Sequence, residues 1–252
     1  MTSPPSSIVI ELATRRRTTR VFAKTPAALD DVIYCIKVAV QAPSGANRQP
    51  WRFVLVDDLK TKERIRVACE EQEKRHHANV EANLKQWFNS KNITWQKPFL
   101  TESPILLAVF SSQKMPYATE STWLAIGYMI LALEERSLST VTYTPSYPEN
   151  VRSVFNAPDE YKLEAILPIG YSSDSKPKEP RRPFQSSVYK NLWNVEAWLM
   201  GARGHGLKDG DLSPWLSVRP VHHRQFTLDQ VQITSSQVGD LNLQLGGLPI
   251  RG

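Results

Sequence analysis

The chain lacks the sequence patterns that identify most hydrolases, nucleotide triphosphatases and zinc enzymes. No GxSxG, Walker A, HExxH or CxxC pattern occurs in its 252 residues. Cysteine is scarce, because Cys35 and Cys69 stand alone in helix-like segments, which predicts two small buried hydrophobes rather than a disulfide framework. None of these common enzyme classes is indicated.

Long apolar runs are also missing. The longest near-continuous one, residues 123–133, falls well short of the ~20 residues that cross a bilayer. At the N-terminus the basic cluster follows a short apolar run, the reverse of a secretory signal, so the sequence predicts a cytoplasmic protein. The net charge of +6 is scattered, and its densest cluster lies at residues 15–20. An anionic small-molecule cofactor explains that cluster as well as nucleic acid would, and we expect no nucleic-acid or membrane partner.

Hydrophobic periodicity predicts an α+β fold, a mixed sheet surrounded by helices. Predicted helices cover residues 7–15, 28–41, 60–75 and 121–134 with a helical patch near 151–155, and predicted strands cover 51–56, 104–110, 140–144 and 163–170. Residues 76–97 are polar and aromatic without a clear period. We interpret them as either a poorly ordered loop or a mobile cover over a site.

The composition changes beyond about residue 189. Five glycines fall between Gly201 and Gly239, with no sustained period, so we divide the chain into a domain at 1–189 and an appendage of uncertain order at 190–252. The glycines at 201–206 do not have dinucleotide-fingerprint spacing. Three histidines in the appendage lack partners at metal-ligand spacing, so no metal site is predicted; they are His205, His222 and His223.

Three separated segments carry chemical interest. Residues 15–22 cluster arginines and threonines that could grip a phosphate, although a solvated basic helix end has the same composition. Residues 42–51 form a turn in which Gly45 allows close approach to backbone N–H groups. Residues 140–145 end a strand with hydroxyls that could face a heterocycle. Each segment alone is weak support for a site.

Together and in this order, the three segments resemble the nitroreductase family. Its members begin with an Arg-Arg-Ser-x-Arg-x-Phe type segment and carry Ala-Pro-Ser-Gly-Ala-x-x-x-Pro-Trp before the first strand, and the resemblance runs from about residue 15 to 182. Residues 70–73, 95–100 and 167–171 resemble the iodotyrosine deiodinase branch of that family in particular.

The resemblance implies a flavin mononucleotide (FMN) cofactor at the subunit interface of an intertwined homodimer. The residues that match the family's FMN-binding positions are Arg16, Arg17, Thr18, Arg20, Ser44, Gly45, Thr142, Tyr143, Thr144 and Arg181. At Thr144 the resemblance also implies a catalytic role, a hydrogen bond to flavin N5 that favours single-electron steps.

The substrate side is implied by the same branch. Glu73 and Lys97 match the glutamate and lysine with which a cover, here residues 76–98, holds a halotyrosine zwitterion, whereas His77 stands where the branch has tyrosine. His77 shares a helix face with Glu73, so its imidazole could still donate toward a carboxylate. The backbone N–H of Ala46 matches the group that stabilises the substrate phenolate, which gives it a substrate-binding and catalytic role.

The sequence is compatible with three functions. The first is FMN-dependent reductive dehalogenation of a halotyrosine or halophenol-like substrate. The second is a broad nitro or quinone reductase that uses NAD(P)H, in which His77 marks the loss of amino-acid binding. The third is a flavin-binding dimer without enzymatic activity. The reductant, NAD(P)H or another donor, is not fixed by the sequence.

Overall fold

The computed structural model describes residues 8–91 and 93–193. Its helices are α1 (Ile8–Arg15), α2 (Leu29–Ala39), α3 (Leu59–Asn79), α4 (Ala82–Ser90), α5 (Phe99–Glu102), α6 (Ala118–Glu135) and α7 (Pro148–Arg152). Its strands are β1 (Trp51–Val56), β2 (Ile105–Ser112), β3 (Ser139–Thr140) and β4 (Tyr161–Gly170). Short 3-10 turns cover Gly45–Asn47, Ser153–Phe155 and Phe184–Ser187. The predicted appendage lies mostly outside the described residues.

The four strands form one sheet in the order β1-β2-β4-β3. Every pair of neighbours is antiparallel, with Trp51 opposite Ser111 and Ile105 opposite Ile169. Within the described residues the parallel component of the predicted mixed sheet is a single bridge between Thr18 and Thr140. The strands are therefore joined as an antiparallel sheet, and the one parallel contact comes from the arginine-rich segment.

Helices cover both faces of the sheet, as predicted. On one face α2 and α6 bury Val32, Met129 and Leu133 against the sheet, and on the other α3 and α5 bury Ile65 and Leu100. Since β2 and β4 lie between these two layers, both strands are buried along nearly their whole length. Burial on both faces explains why each contains a continuous apolar run, residues 105–110 in β2 and 165–170 in β4. The predicted α+β class is confirmed.

The arginine-rich segment is bonded to the edge of the sheet. The Thr19 N–H donates to the Thr140 carbonyl at 3.1 Å, and the Ala23 N–H donates to the Tyr171 carbonyl at 2.8 Å. The Ser173 N–H in turn donates to the Val21 carbonyl at 3.1 Å. Residues 19–23 therefore extend the sheet beside β3 and the end of β4, which holds the segment in a defined place.

The sequence interpretation of residues 76–97 is wrong in its secondary structure. α3 does not end near residue 75 but continues to Asn79, and α4 follows almost at once. A helical period was present, because Leu84, Trp87 and Phe88 share one face of α4. It was obscured because most of α4 is exposed and its remaining residues are polar.

The predicted strand at 140–144 is much shorter in the structure. Regular pairing ends at Thr140, and beyond it Tyr143 makes an isolated antiparallel bridge with Ile166. The chain then bends at Ser146 and Tyr147 and enters α7. The hydroxyl-rich residues after Thr140 therefore lie in a segment at the sheet edge that is not paired as a regular strand.

Both cysteines are buried, as predicted, and burial raises the pKa of each thiol to about 12. Across residues 8–91 and 93–193, every helix is too short or too polar to cross a membrane.

Candidate functional site

A cationic cluster lies where α1 ends. Arg17 is held in place because its guanidinium donates to the Ser172 hydroxyl at 3.0 Å and to the Asp174 carbonyl. Its Nη1 is buried without a hydrogen-bond partner, and the same is true of Arg16 Nε. Arg17 Nη1 lies 4.0 Å from Asp174 Oδ2, beyond hydrogen-bond distance. Buried donors are normally bonded, so these two unbonded guanidinium donors indicate a place for an acceptor.

The charge around Arg16 is unbalanced. Burial lowers the pKa of Arg16, the nearby positive charge of Arg181 lowers it further, and Glu134 opposes both effects. Lys178 belongs to the same cluster, because burial, Arg181 and Arg16 all lower its pKa as well. Arg181 thus disfavours the charged forms of both Arg16 and Lys178, and an anion beside these cations would offset that repulsion. The site is therefore suited to a phosphate group.

Lys178 also completes the end of α1. Its ammonium donates to the carbonyls of Ala13 at 2.6 Å and Thr14 at 2.7 Å. These carbonyls have no partner inside the helix, and a cation at a helix C-terminus is favoured by the helix dipole. The sequence analysis gave Lys178 no role, since a lysine among scattered charges carries no pattern.

Thr18 and Arg20 are both exposed beside this cluster. The charge of Arg20 contributes to lowering the pKa of Lys97, which places Arg20 within electrostatic reach of the second charged group described below. The two predicted functional regions, the arginine-rich segment and the 73–97 region, are thus neighbours in the fold.

The turn at 42–51 has an unusual backbone. Ala46, Asn47 and Gln49 all have positive φ, with 49° at Ala46, and Ala46 is exposed. Two bonds fix the turn, from the Gly45 N–H to Ser121 Oγ at 3.2 Å and from the Gln49 N–H to Ser44 Oγ at 3.0 Å. Positive φ is costly for residues other than glycine and is retained where the surroundings hold it, often at functional sites.

The side chains of residues 142–144 differ in burial. Thr144 is exposed and Thr142 half-buried, whereas Tyr143 is buried in the core beside Phe99. The backbone of Tyr143 pairs with Ile166 in both directions, at 3.1 and 2.8 Å. Its hydroxyl reaches Glu73 rather than the exposed side of the segment.

Glu73 and Lys97 form a buried pair of opposite charges. Lys97 Nζ lies 3.4 Å from Glu73 Oε2, and both side chains are less than a tenth exposed. Burial alone would raise the pKa of Glu73, but Lys97 and hydrogen bonds from Ser146 and Tyr143 outweigh it and hold that pKa below its ordinary value. Burial lowers the pKa of Lys97, opposed by Glu73. The surroundings therefore stabilise the ionised form of Glu73, whereas for Lys97 the attraction of Glu73 offsets only part of the cost of burial.

His77 lies one turn further along α3. Its Nε2 is 3.9 Å from Glu73 Oε2, and its ring stacks on Phe88 of α4 with ring centroids 4.6 Å apart. Burial and the Lys97 charge lower the pKa of His77, opposed by Glu73. The imidazole is therefore neutral over a wider range of pH than an ordinary histidine.

Glu70 and Ser146 are site residues to which the sequence analysis gave no role. Glu70 Oε1 accepts a bond from the backbone N–H of Lys97 at 2.7 Å and one from Arg66 at 2.7 Å. Glu70 lies in the segment 70–73, which resembles the deiodinase branch, but that resemblance implies no role for Glu70 itself. Ser146 belongs to none of the segments singled out from the sequence. Their roles depend on contacts between distant parts of the chain, which a sequence pattern does not display.

Within residues 8–91 and 93–193, no group of three histidine, cysteine or acidic side chains is placed to hold a metal ion. The appendage histidines fall outside the described residues.

The fold and site define an α+β protein with an antiparallel sheet, a cationic cluster at the end of α1 and a buried ion pair between Glu73 and Lys97. The sequence profile of the nitroreductase family matches residues 13–171. The chain therefore belongs to the nitroreductase family, as its sequence motifs predicted.

Two relatives and one solved structure illustrate the similarity. The iodotyrosine deiodinase of Thermotoga neapolitana is 51% identical over 174 residues, covering 69% of this chain and 94% of the relative. That of Haliscomenobacter hydrossis is 30% identical over 172 residues, covering 63% of this chain and 77% of the relative. A crystal structure of oxidized iodotyrosine deiodinase bound to FMN and 3-iodo-L-tyrosine superposes with a TM-score of 0.67, at 51% identity, covering 69% of this chain and 95% of that one.

Proposed function

We propose that this protein is an FMN-dependent oxidoreductase that reductively dehalogenates a halotyrosine or a related halophenol. Its 51% identity to an iodotyrosine deiodinase over most of the relative's length supports this. Within the chain, the observation that carries the proposal is the buried pair Glu73 and Lys97, 3.4 Å apart. A carboxylate and an ammonium at that depth are complementary to the two charges of an amino-acid zwitterion.

The cationic cluster fits the phosphate of FMN. Arg16 Nε and Arg17 Nη1 are buried donors without a hydrogen-bond partner. Arg181 and Lys178 add positive charge around Arg16. In this assignment the phosphate is held by Arg16, Arg17, Thr18, Arg20 and Arg181, and the ring system by Ser44, Gly45 and the 142–144 segment. The exposed faces of Thr144 and Ala46 leave both available to the ring and the substrate.

When bound and reduced, FMN supplies the two electrons that, with a proton, replace the halide on the aromatic ring. The protein's own groups bind and orient. The Ala46 N–H stabilises the substrate phenolate, and Thr144 donates a hydrogen bond at flavin N5. Glu73 binds the substrate ammonium and Lys97 binds the substrate carboxylate. Two ion pairs with the substrate thus replace the single ion pair between Glu73 and Lys97. Residues 76–98 then exclude water from the closed site.

A second candidate is a broad nitro or quinone reductase that takes hydride from NAD(P)H. The observation that favours it is His77, because a neutral imidazole stacked on Phe88 replaces the phenol that the branch uses to hold the amino acid. A flavin-binding dimer without turnover is the non-enzymatic alternative. Dehalogenation of iodotyrosine by the reduced protein distinguishes the first candidate from both others.

Quenching of FMN fluorescence by iodotyrosine tests the proposal directly. We expect saturable quenching in the wild-type holoprotein, since a ligand held over the flavin ring alters its emission. A simple nitroarene that lacks both charges serves as the comparison. If iodotyrosine causes no quenching in the wild type or in His77→Tyr, the amino-acid site is rejected and the general nitroreductase function takes its place.

The affinity for iodotyrosine is expected to rise as the pH falls from 8 into the mildly acidic range. A substrate carboxylate near His77 raises the imidazole pKa in the complex, whereas burial and Lys97 lower it in the free protein. Protonation then accompanies binding between those two pKa values, so the affinity rises as pH decreases through this window. Fluorescence titrations of wild type and His77→Tyr measure it, and an equal slope in both would contradict the role of His77.

We also propose that the protein is a homodimer. On α6, Leu124 is 48% exposed and Tyr128 41%, although eight of the 18 residues of the helix are buried. A side chain at Gly127, between them, would meet nothing within 4 Å, so this face can approach a second helix closely. Exposed apolar side chains around an open glycine suit a self-complementary interface.

Leu124→Glu is expected to convert the dimer to a monomer that has lost FMN, because charge would be buried in an interface that completes the flavin site. Light scattering and flavin absorbance measure the two effects. Leu59→Glu is the matched control, since Leu59 is 56% exposed at the start of α3. A wild-type protein that is a stable, flavin-loaded monomer would overturn the dimer.

A further inference from the structure

The two carboxylate oxygens of Glu73 have different surroundings. Oε1 accepts three hydrogen bonds from residues 143–146: the Tyr143 hydroxyl at 3.1 Å, the Ser146 N–H at 3.1 Å and the Ser146 hydroxyl at 2.9 Å. Oε2 accepts none of these and faces Lys97 at 3.4 Å and His77 at 3.9 Å. One oxygen is thus anchored by neutral donors, while the other faces the groups of the cover.

We propose that Ser146, assisted by Tyr143, is a positioning residue that fixes Glu73 so that Oε2 alone is presented to the ammonium group of the substrate. This inference rests on the proposed function, because it specifies how the amino-acid clasp is held. Ser146 supplies two of the three anchoring donors, one from its backbone and one from its side chain.

The anchor does what a mobile surface glutamate could not do. A buried carboxylate is costly unless its lone pairs are filled, and three donors on Oε1 meet that need without occupying Oε2. They also prevent rotation of the carboxylate, so that little side-chain entropy is lost when the substrate binds. Lys97 is also held in place before substrate binds. Its backbone N–H donates to Glu70 at 2.7 Å, and its ammonium donates to the Thr94 carbonyl at 2.6 Å.

The anchor also joins the two halves of the proposed site. Ser146 follows Thr144 by two residues, at the bend where the chain leaves the sheet edge, and the resemblance places residues 142–144 at the flavin ring. Glu73 belongs to α3, which leads into the cover. A hydrogen bond between them therefore sets the position of the clasp relative to the ring, which fixes where on the ring the substrate is held.

The test is Ser146→Ala in the FMN-loaded protein, which removes the hydroxyl and keeps the N–H. Loss of a charge-assisted bond is expected to weaken iodotyrosine binding about tenfold. The lost bond had lowered the pKa of Glu73, so that pKa rises in the variant. Binding needs the ionised carboxylate, so at low pH the affinity falls as Glu73 is protonated; we call this part of the affinity profile its acid limb. In Ser146→Ala the acid limb moves to higher pH, whereas a mere loosening of the structure would weaken binding without moving the acid limb.

Two further variants separate positioning from folding. Ser146→Thr keeps the hydroxyl and is expected to restore the wild-type acid limb. Ser153→Ala removes an exposed hydroxyl that donates to the Asn150 carbonyl at 3.0 Å and is not among the donors to Glu73, so it should leave the profile unchanged. A Ser146→Ala profile with the wild-type acid limb overturns the proposal, as does failure of Ser146→Thr to restore it.

A measurement without substrate distinguishes this inference from the proposed function. Carbon-13 NMR of labelled glutamate carboxyls, with Glu73 assigned through Glu73→Gln, follows its titration in the holoprotein. Of the other titratable groups around it, Cys69 and Tyr143 have raised pKa values and His77 a lowered one, and Lys97 is the cation of the pair. An unchanged Glu73 pKa in Ser146→Ala rejects the anchor itself. A raised pKa without iodotyrosine binding in the wild type rejects the proposed function and, with it, the positioning role.

Discussion

Lys97→Ala is expected to lower the free energy of unfolding by about 3 kcal/mol or more, because it leaves a buried carboxylate without its charged partner. Glu73 and Lys97 lie 3.4 Å apart with both side chains less than a tenth exposed, so water cannot replace the ammonium. Chemical denaturation of the holoprotein measures the loss. Lys91→Ala is the control, because its pair with Glu179 is at the surface and such pairs contribute about 0–1 kcal/mol.

The same variant is expected to weaken iodotyrosine binding by about tenfold or more, since it removes the cation that receives the substrate carboxylate. A double replacement separates the two effects. Glu73→Gln combined with Lys97→Met removes both charges, so most of the stability should return while the affinity stays low. Recovery of iodotyrosine affinity in the double variant would show that the pair serves folding alone.

Arg16→Ala is expected to weaken FMN binding by about tenfold or more while leaving the flavin-free protein no less stable. A charge-assisted bond to phosphate contributes roughly 1.5–3 kcal/mol. Without an anion, burial and repulsion from Arg181 already disfavour the Arg16 charge, so its removal relieves the free protein. Equilibrium dialysis against FMN measures the affinity, and thermal unfolding of the flavin-free protein measures stability.

The exposed Arg64 on α3 provides the comparison for charge alone, because Arg64→Ala removes one positive charge far from the end of α1 in sequence. Arg64→Ala should retain wild-type FMN affinity. If Arg16→Ala binds FMN as tightly as the wild type, the cationic cluster is not the phosphate site. A large loss of stability in flavin-free Arg16→Ala would show instead that Arg16 supports the fold.

The parts of the fold that could be predicted from sequence are those with strong burial. Residues 104–110 and 163–170 read as buried strands because β2 and β4 are covered on both faces. Residues 121–134 read as a long helix because one face of α6 is buried and apolar residues occupy much of the other. The interpretation failed at residues 76–97, where α4 has no buried residue and even Leu84 and Trp87 of its apolar face are exposed. Weak burial leaves a weak pattern.

The site shows the same division. Arg16, Glu73 and Lys97 could be selected because they stand in segments with a recognisable order along the chain, and their roles stay predictions that the variants above test. Ser146 could not, since its importance comes from lying opposite a residue 73 positions away. A serine has no distinctive sequence signature, and only the tertiary structure brings its donors to Glu73 Oε1.

The bonds that attach residues 19–23 to the sheet edge have a consequence for how the protein opens. Because the Thr19, Ala23 and Ser173 amides are bonded across this junction, each can exchange its hydrogen with solvent only when the junction separates. Their exchange rates should therefore change together, and they should slow when FMN binds, by the amount its binding stabilises the closed edge. Hydrogen exchange of the amides at this edge would then measure cofactor release, because these amides exchange as one cooperative unit.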